Sequence, residues 1–327
     1  MIKGALSKFL IPKNWSIFLG VCLFALIYVN IPYESIRGDV SFVDLGNYER
    51  NFSEKSYALV KAGGSIKGYI SNEVLWDVTV RWLMRILDMD PRGVLKITSF
   101  ISIFFMASYV RRGAGWWWLL FLFNPLLIDF VMSQCRLSFA MGLFFASLLT
   151  KRKLAVLLIS CVSLYIHTAM LVFVGLYWLA WLAFRYPQYC RKHVWVGIFI
   201  LSTTAIFIAA LMGPLNSLAA GFYGEDRRIG RYIQTGSSLT YASFWILLIP
   251  IFSFIRPKLC RIPNVGYALS ILVLFSATVV FDVYGSRFVA AALPCIICSV
   301  FRLDGNLKTG VVSLFAIFTM AQLHYWL

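Results

Sequence analysis

From Leu154 to Phe184 the chain runs for 31 residues without an Asp, Glu, Lys or Arg, closed by Lys151, Arg152 and Lys153 on one side and Arg185, Arg191 and Lys192 on the other. As one straight helix it would extend about 46 Å at 1.5 Å per residue, too long for a hydrocarbon core of ~30 Å. Basic flanks at both ends imply an even number of membrane crossings, because positive loops stay on the cytoplasmic side. The stretch therefore reads as a helical hairpin turning near His167. Two other stretches repeat the pattern. Trp116 to Thr150 lies between Arg111-Arg112 and Lys151-Arg152-Lys153 and should turn near Ser133 to Arg136. Val265 to Val300 should turn at Asp282-Val-Tyr-Gly-Ser-Arg287.

Single crossings at Trp15 to Tyr33, Val94 to Val110, Val194 to Met212, Tyr241 to Ile255 and about Thr309 to Leu327 complete the pattern. The expected fold is all-α, a polytopic integral membrane protein of about 11 transmembrane helices forming a single transmembrane domain over residues 1–327. A GT-C-like arrangement is one architecture of this class. Lys3, Lys8 and Lys13 precede the first span and no acidic residue stands before Glu34, so the N-terminus is expected in the cytoplasm and the C-terminus outside. The first stretch reads as a retained helix rather than a cleaved signal peptide, since no small-x-small cleavage pattern follows it.

Composition agrees with this class. Hydrophobic residues make up 60% of the chain and charged residues 13%, against about 25% charged in a soluble domain. The net charge of +16 would suggest nucleic acid in a soluble protein. Here the expected cytoplasmic breaks hold 16 Lys and Arg against Asp304 alone, while the outward side holds 14 basic and 13 acidic residues. The excess is a topology signal, and no basic patch is left over for nucleic acid.

Two outward loops are long, residues 34–93 and 213–240. Seven cysteines are scattered through apolar stretches and cytoplasmic breaks, so no disulfide framework or zinc site is expected. The informative residues are ionisable groups pressed against the outer face: Asp129 and Arg136, His167, Arg227, Arg228 and Arg231, and Asp282 with Arg287. Charge at membrane depth costs about 2.5–3.5 kcal/mol on insertion scales, so such groups have a partner or a task. On a continuous helix Asp129, Ser133 and Arg136 would share one face, and the bland reading is a structural ion pair. Arginine is also the side chain best suited to bidentate phosphate binding. The first long loop adds Asp39, Asp44, Glu49, Glu73 and Asp77 among Tyr48, Tyr57, Tyr69 and Trp76, an acidic and aromatic mix suited to sugars. Carboxylates beside arginine-held phosphate point to glycosyl transfer from a lipid-linked donor, a carboxylate taking the acceptor's proton and arginines stabilising the departing pyrophosphate.

The residues also resemble a family. Arg37-Gly-Asp39-Val-Ser-Phe-Val-Asp44-Leu-Gly-Asn47-Tyr48 resembles the Arg, then Asp-x-x-Asn-Tyr element of EpsG-like, Wzy-type polysaccharide polymerases. Glu73 before Leu75 and Trp76 is similar to the next acidic position of that family's first loop. Gln134-Cys-Arg136-Leu-Ser-Phe-Ala140 and His167-Thr-Ala resemble its Arg-x-x-x-Ala and His-Ser/Thr-Ala elements, and Gly285-Ser-Arg287-Phe its late outward arginine. Either Asp39 or Asp44 could fill the family's acidic position.

The resemblance implies a polymerase of the bacterial inner membrane, joining undecaprenyl-pyrophosphate-linked oligosaccharides at the periplasmic face. It implies Asp44 or Asp39 as base with Glu73 in reserve, and His167 as an orienting or proton-donating residue. Substrate would be bound by Arg37, Tyr48, Arg136, Arg227, Arg228, Arg231 and Arg287. Expected partners are the lipid-linked oligosaccharide, the bilayer and a chain-length-regulating copolymerase. No cofactor, metal or nucleic acid is expected. The alternatives are a lipid-linked sugar flippase or secondary transporter, whose charges should lie near the midplane, and an O-antigen ligase.

Overall fold

The computed structural model describes residues 15–53, 73–150, 152–185, 193–215 and 237–327. Among these, every regular element is helical. Four helices are long and apolar enough to cross a bilayer: α5 (Pro91–Ala114), α10 (Val194–Met212), α12 (Pro263–Val280) and α14 (Gly305–Trp326). Shorter apolar helices are α1 (Trp15–Asn30), α8 (Lys153–Ile166), α9 (Met170–Arg185), α11 (Leu239–Pro250, prolonged by a wide turn through Ile255) and α13 (Ser286–Phe301). The chain is a membrane-embedded protein, with large apolar side chains such as Leu19, Leu23 and Ile27 of α1 on the outside of the fold.

Local chemistry sets the boundaries. Helices α5 and α12 begin on Pro91 and Pro263, a first-turn position where the missing N–H costs nothing. Asp90 caps α5 by accepting from the Gly93 amide at 2.8 Å, and Ser238 caps α11 by accepting from Tyr241 at 3.2 Å. Breaks fall between α8 and α9 at His167–Ala169 and between α12 and α13 at Phe281–Gly285.

The stretch 116–150 differs from a plain two-helix hairpin. It forms a 3-10 segment (Trp117–Phe123), a short α6 (Pro125–Met132) and α7 (Cys135–Leu148), with α6 and α7 meeting at 105°. Asn124 precedes a proline, which drives it into extended backbone (ψ 130°) and ends the first segment. Its Oδ1 then accepts from the Leu126 amide at 3.0 Å, starting α6. The helix break at Ser133-Gln134 removes the continuous face on which Asp129, Ser133 and Arg136 would align.

The first long loop is also more structured than its polarity suggests: it contains the single turn α2 (Tyr33–Ile36), α3 (Val43–Ser53) and the amphipathic α4 (Val74–Leu87). Helix α4 buries Val74, Trp76 and Val80 while Trp82, Ile86 and Leu87 stay outside.

The helices group into two compact units interleaved in sequence, one of residues 1–112, 131–168 and 327, the other of 113–130 and 169–326. In the first, α5 meets α1 through Phe104 and Phe18 at 5.6 Å and α7 through Tyr109 and Phe145 at 4.9 Å. A Cβ on Gly142 of α7 would stand 2.7 Å from the Ser102 Cα of α5, so those helices approach backbone to backbone. The second unit is built around α12, 72% buried over its apolar window where α14 is 17% buried. Phe244 and Trp245 of α11 pack on Phe315 and Phe318 of α14.

Candidate functional site

Three separated segments of the first unit converge on one carboxylate. Glu73 precedes α4 and takes a left-handed backbone, φ 53° and ψ 42°, a conformation uncommon for any residue but glycine. The strained geometry points its side chain inward, where the carboxylate has no solvent access. Oε2 lies 2.5 Å from Nη1 of Arg136, in the first turn of α7. Oε1 lies 3.0 Å from Nδ1 of His167, just beyond α8, and accepts from the backbone amide and hydroxyl of Thr168 at 3.2 and 3.3 Å. A buried carboxylate is tolerated only when paired and hydrogen-bonded, and here both oxygens face donors. Because the acid only accepts, the His167 proton on this side sits on Nδ1.

Aromatic residues fix the other side of the arginine. The guanidinium carbon of Arg136 lies 5.7 Å from the ring centre of Tyr48 on α3, within cation–π range. Tyr48 meets Trp76 edge-on at 6.2 Å, and Trp76 also touches Phe52 and Phe139. Trp76 stands one turn past Glu73 and is 2% exposed, so the packing that anchors α4 also sets the carboxylate. Burial pushes the Tyr48 phenol up to about 12; Arg136 opposes that shift, while the negative charges of Asp44 and Glu73 add to it. The hydroxyl therefore stays protonated at ordinary pH. A quarter of the Arg136 side chain remains open, while its Nε is buried.

Asp44 stands in the first turn of α3, half-buried, and its amide donates to the Ser133 hydroxyl at 3.4 Å, tying α3 to the break before α7. Glu73, Arg136, His167, Tyr48 and Asp44 thus belong to one neighbourhood. Asp39 is exposed and left-handed, φ 65°. Arg37 lies over the Phe42 ring at 5.5 Å. Arg287 belongs to the second unit, where it stacks over Tyr284 at 4.6 Å. In that unit Asp129 accepts from the Trp326 indole at 3.1 and 3.2 Å. Arg227, Arg228 and Arg231, with Tyr57 and Tyr69, lie outside the described residues.

Sequence reading passed over a second group of charges in the first unit. Arg92 on α5 pairs with Glu34 and lies 3.6 Å from Glu49, joining α2 and α3 to the head of α5. The available signal was Arg92 and Lys96, one helical turn apart after Pro91.

No curated protein and no solved structure matches the chain. The family model described as EpsG family matches residues 17–327, nearly its whole length, and the chain belongs to the EpsG family.

Proposed function

We propose that this protein is a Wzy-type polysaccharide polymerase, a membrane glycosyltransferase that joins undecaprenyl-pyrophosphate-linked repeat units at the periplasmic face of the bacterial inner membrane. The observation that carries the reading is the Arg136 guanidinium held between a buried Glu73 carboxylate and the Tyr48 ring, on a side chain that is a quarter open. Such a cation is preorganised to meet a phosphate without reorganisation. Membership of the EpsG family supports the same chemistry.

In this reading the growing chain is the donor. A hydroxyl of the incoming repeat unit attacks the anomeric carbon of the donor's reducing-end sugar. The C–O bond to the pyrophosphate breaks through an oxocarbenium-like state, and undecaprenyl pyrophosphate leaves with the bonding electron pair. Arg136 stabilises the charge that develops on the pyrophosphate. The acceptor's proton goes to a loop-one carboxylate, Asp44 being the candidate beside Tyr48 and Ser133, with Asp39 the other. Glu73, with both oxygens facing donors, serves as the positioning residue for Arg136 and His167. The Nδ1 contact to Glu73 fixes the imidazole for its orienting or proton-donating role. Arg287 and the Arg227, Arg228 and Arg231 group are further candidates for the second pyrophosphate. No metal is required by these steps.

The test is deletion of the gene in its host, with wild type, Asp44→Ala and Arg136→Ala restored in parallel and the surface polysaccharide resolved on a gel. The expected result is a single-repeat band on deletion, extended to a ladder by wild type alone. Loss of even the single repeat would move the assignment to a flippase. Full-length unattached polymer would move it to a ligase.

A further inference from the structure

A cavity of about 270 Å³ opens in the first unit between the end of α1, the turn α2 and the head of α5. Its polar wall carries Glu34, Arg92 and Lys96; Leu95, Met132 and Cys135 are among its apolar residues. It lies where two apolar helices, α1 and α5, end and begin, and Cys135 is the chain neighbour of Arg136. Leu45, next to Asp44, also lines it. The cavity and the Glu73–Arg136 site are therefore walled by adjacent residues on both α3 and α7.

The charges in it are unevenly paired. Glu34 is engaged by Arg92 and accepts from the Phe42 amide at 3.2 Å. Lys96, one turn further along the same face of α5, is exposed and has no ion-pair partner among the described residues. Arg92 also lies 3.6 Å from Glu49, just outside the wall, so of the two cations it is Lys96 that has no carboxylate beside it among the described residues and favours an anion. Its size is just under the roughly 300–1,000 Å³ of a site for a whole drug-sized ligand, enough for a headgroup and too small for an oligosaccharide. Cations beside an apolar surface at a membrane boundary suit a phosphate that carries a lipid tail.

We propose that this cavity seats the pyrophosphate of a polyprenyl-linked substrate, with Lys96 as its cation and Arg92 as the residue that frames it, making a second anion site beside Arg136. The proposal rests on the polymerase reading, in which donor and acceptor each bring a lipid pyrophosphate and one arginine can hold only one of them. It names the second seat from residues of the first unit alone.

The test uses the full-length protein in detergent, with geranylgeranyl pyrophosphate as the probe, counting bound molecules by native mass spectrometry and measuring affinity by titration. Wild type should bind two molecules. Arg92→Gln/Lys96→Gln should bind one, and Lys96→Gln alone should weaken one of the two sites by roughly tenfold, the size of one lost charge-assisted hydrogen bond. Lys96→Arg should restore it. Arg136→Ala should lose the other molecule and keep the cavity's. Two molecules bound to the double variant would overturn the cavity assignment while leaving the polymerase reading intact. No binding to wild type would overturn both. Equal competition at this site by inorganic pyrophosphate would overturn the lipid headgroup as its occupant, since a lipid seat prefers the tailed anion.

Discussion

The carboxylate of Glu73 sits 2.5 Å from the guanidinium of Arg136, the acid closed to solvent and the arginine a quarter open. The asymmetry sorts the two roles. A side chain sealed from water and already facing His167 and Thr168 has no room for substrate, whereas the arginine it holds does.

Replacing Glu73 by Gln should therefore act through position. The amide keeps the shape but presents an N–H₂ to donors and leaves Arg136 without its counter-charge. Breaking a buried pair costs about 3–5 kcal/mol, and the partial exposure of Arg136 places the expected loss at the lower end. Polymerisation should fall by roughly a hundredfold or more, as expected when a misplaced clamp costs transition-state stabilisation. Glu73→Asp should recover part of it. Initial rates on a lipid-linked repeat unit, read beside thermal melting in detergent, check both effects. Full activity in Glu73→Gln would remove the anchoring role.

Arg136→Lys separates charge from geometry. A lysine supplies a compact ammonium that cannot face Glu73, the Tyr48 ring and a phosphate together as a planar guanidinium can. The variant should reach the membrane at wild-type level, since Glu73 keeps a cation, yet lose most of its polymerising activity. Membrane abundance by immunoblot and ladder length on a gel give the two readouts. Arg136→Ala is the harsher case, because it strands a buried carboxylate.

How much of this was legible beforehand follows from range in sequence. The apolar stretches and their basic breaks could be read directly, because burial in lipid excludes charge along the contiguous chain. The breaks at His167–Ala169 and Phe281–Gly285 fall at the expected turns. The bend at Ser133-Gln134 also falls where a turn was expected, but the rest of 116–150 was hidden, since Asn124-Pro125 interrupts a run whose hydropathy stays high. Glu73, Arg136, His167 and Tyr48 each stood out by residue type, but their convergence depends on contacts between distant segments. The left-handed backbone at Glu73 has no sequence signature, for a glutamate carries no preference for it. The pairing of Arg92 with Glu34 was concealed for the same reason.

The phenol of Tyr48 yields a pH prediction with a definite sign. Its folded value of about 12 lies above the roughly 10 expected in an unfolded chain. The unfolded state therefore releases this proton first as pH rises, and the stability associated with the neutral phenol, intact below pH ~10, declines between ~10 and ~12. Thermal melting of the detergent-solubilised protein at pH 8 and pH 10.5 should show a smaller drop for Tyr48→Phe than for wild type. At pH 7 the same variant should polymerise nearly normally, because the ring that faces Arg136 is kept. Tyr48→Ala should not. An equal alkaline drop in wild type and Tyr48→Phe would mean the buried phenol has no part in it.

The close approach of α5 and α7 makes a prediction about the frame that carries Arg136. At Gly142 an added Cβ would lie 2.7 Å from the Ser102 Cα, a backbone atom that cannot rotate aside. Gly142→Ala must push the two helices apart, and such overpacking costs about 1–3 kcal/mol. The displacement should reach Arg136, less than two turns earlier on α7, so activity should fall along with the melting temperature. Gly175 on α9 supplies the control: a Cβ there meets nothing within 4 Å, and Gly→Ala in a helix interior gains up to about 1 kcal/mol of intrinsic propensity. Gly175→Ala should melt no lower than wild type and polymerise normally. If Gly142→Ala also melts like wild type, the helices separate at no cost, and the backbone contact between α5 and α7 is not what fixes the arginine.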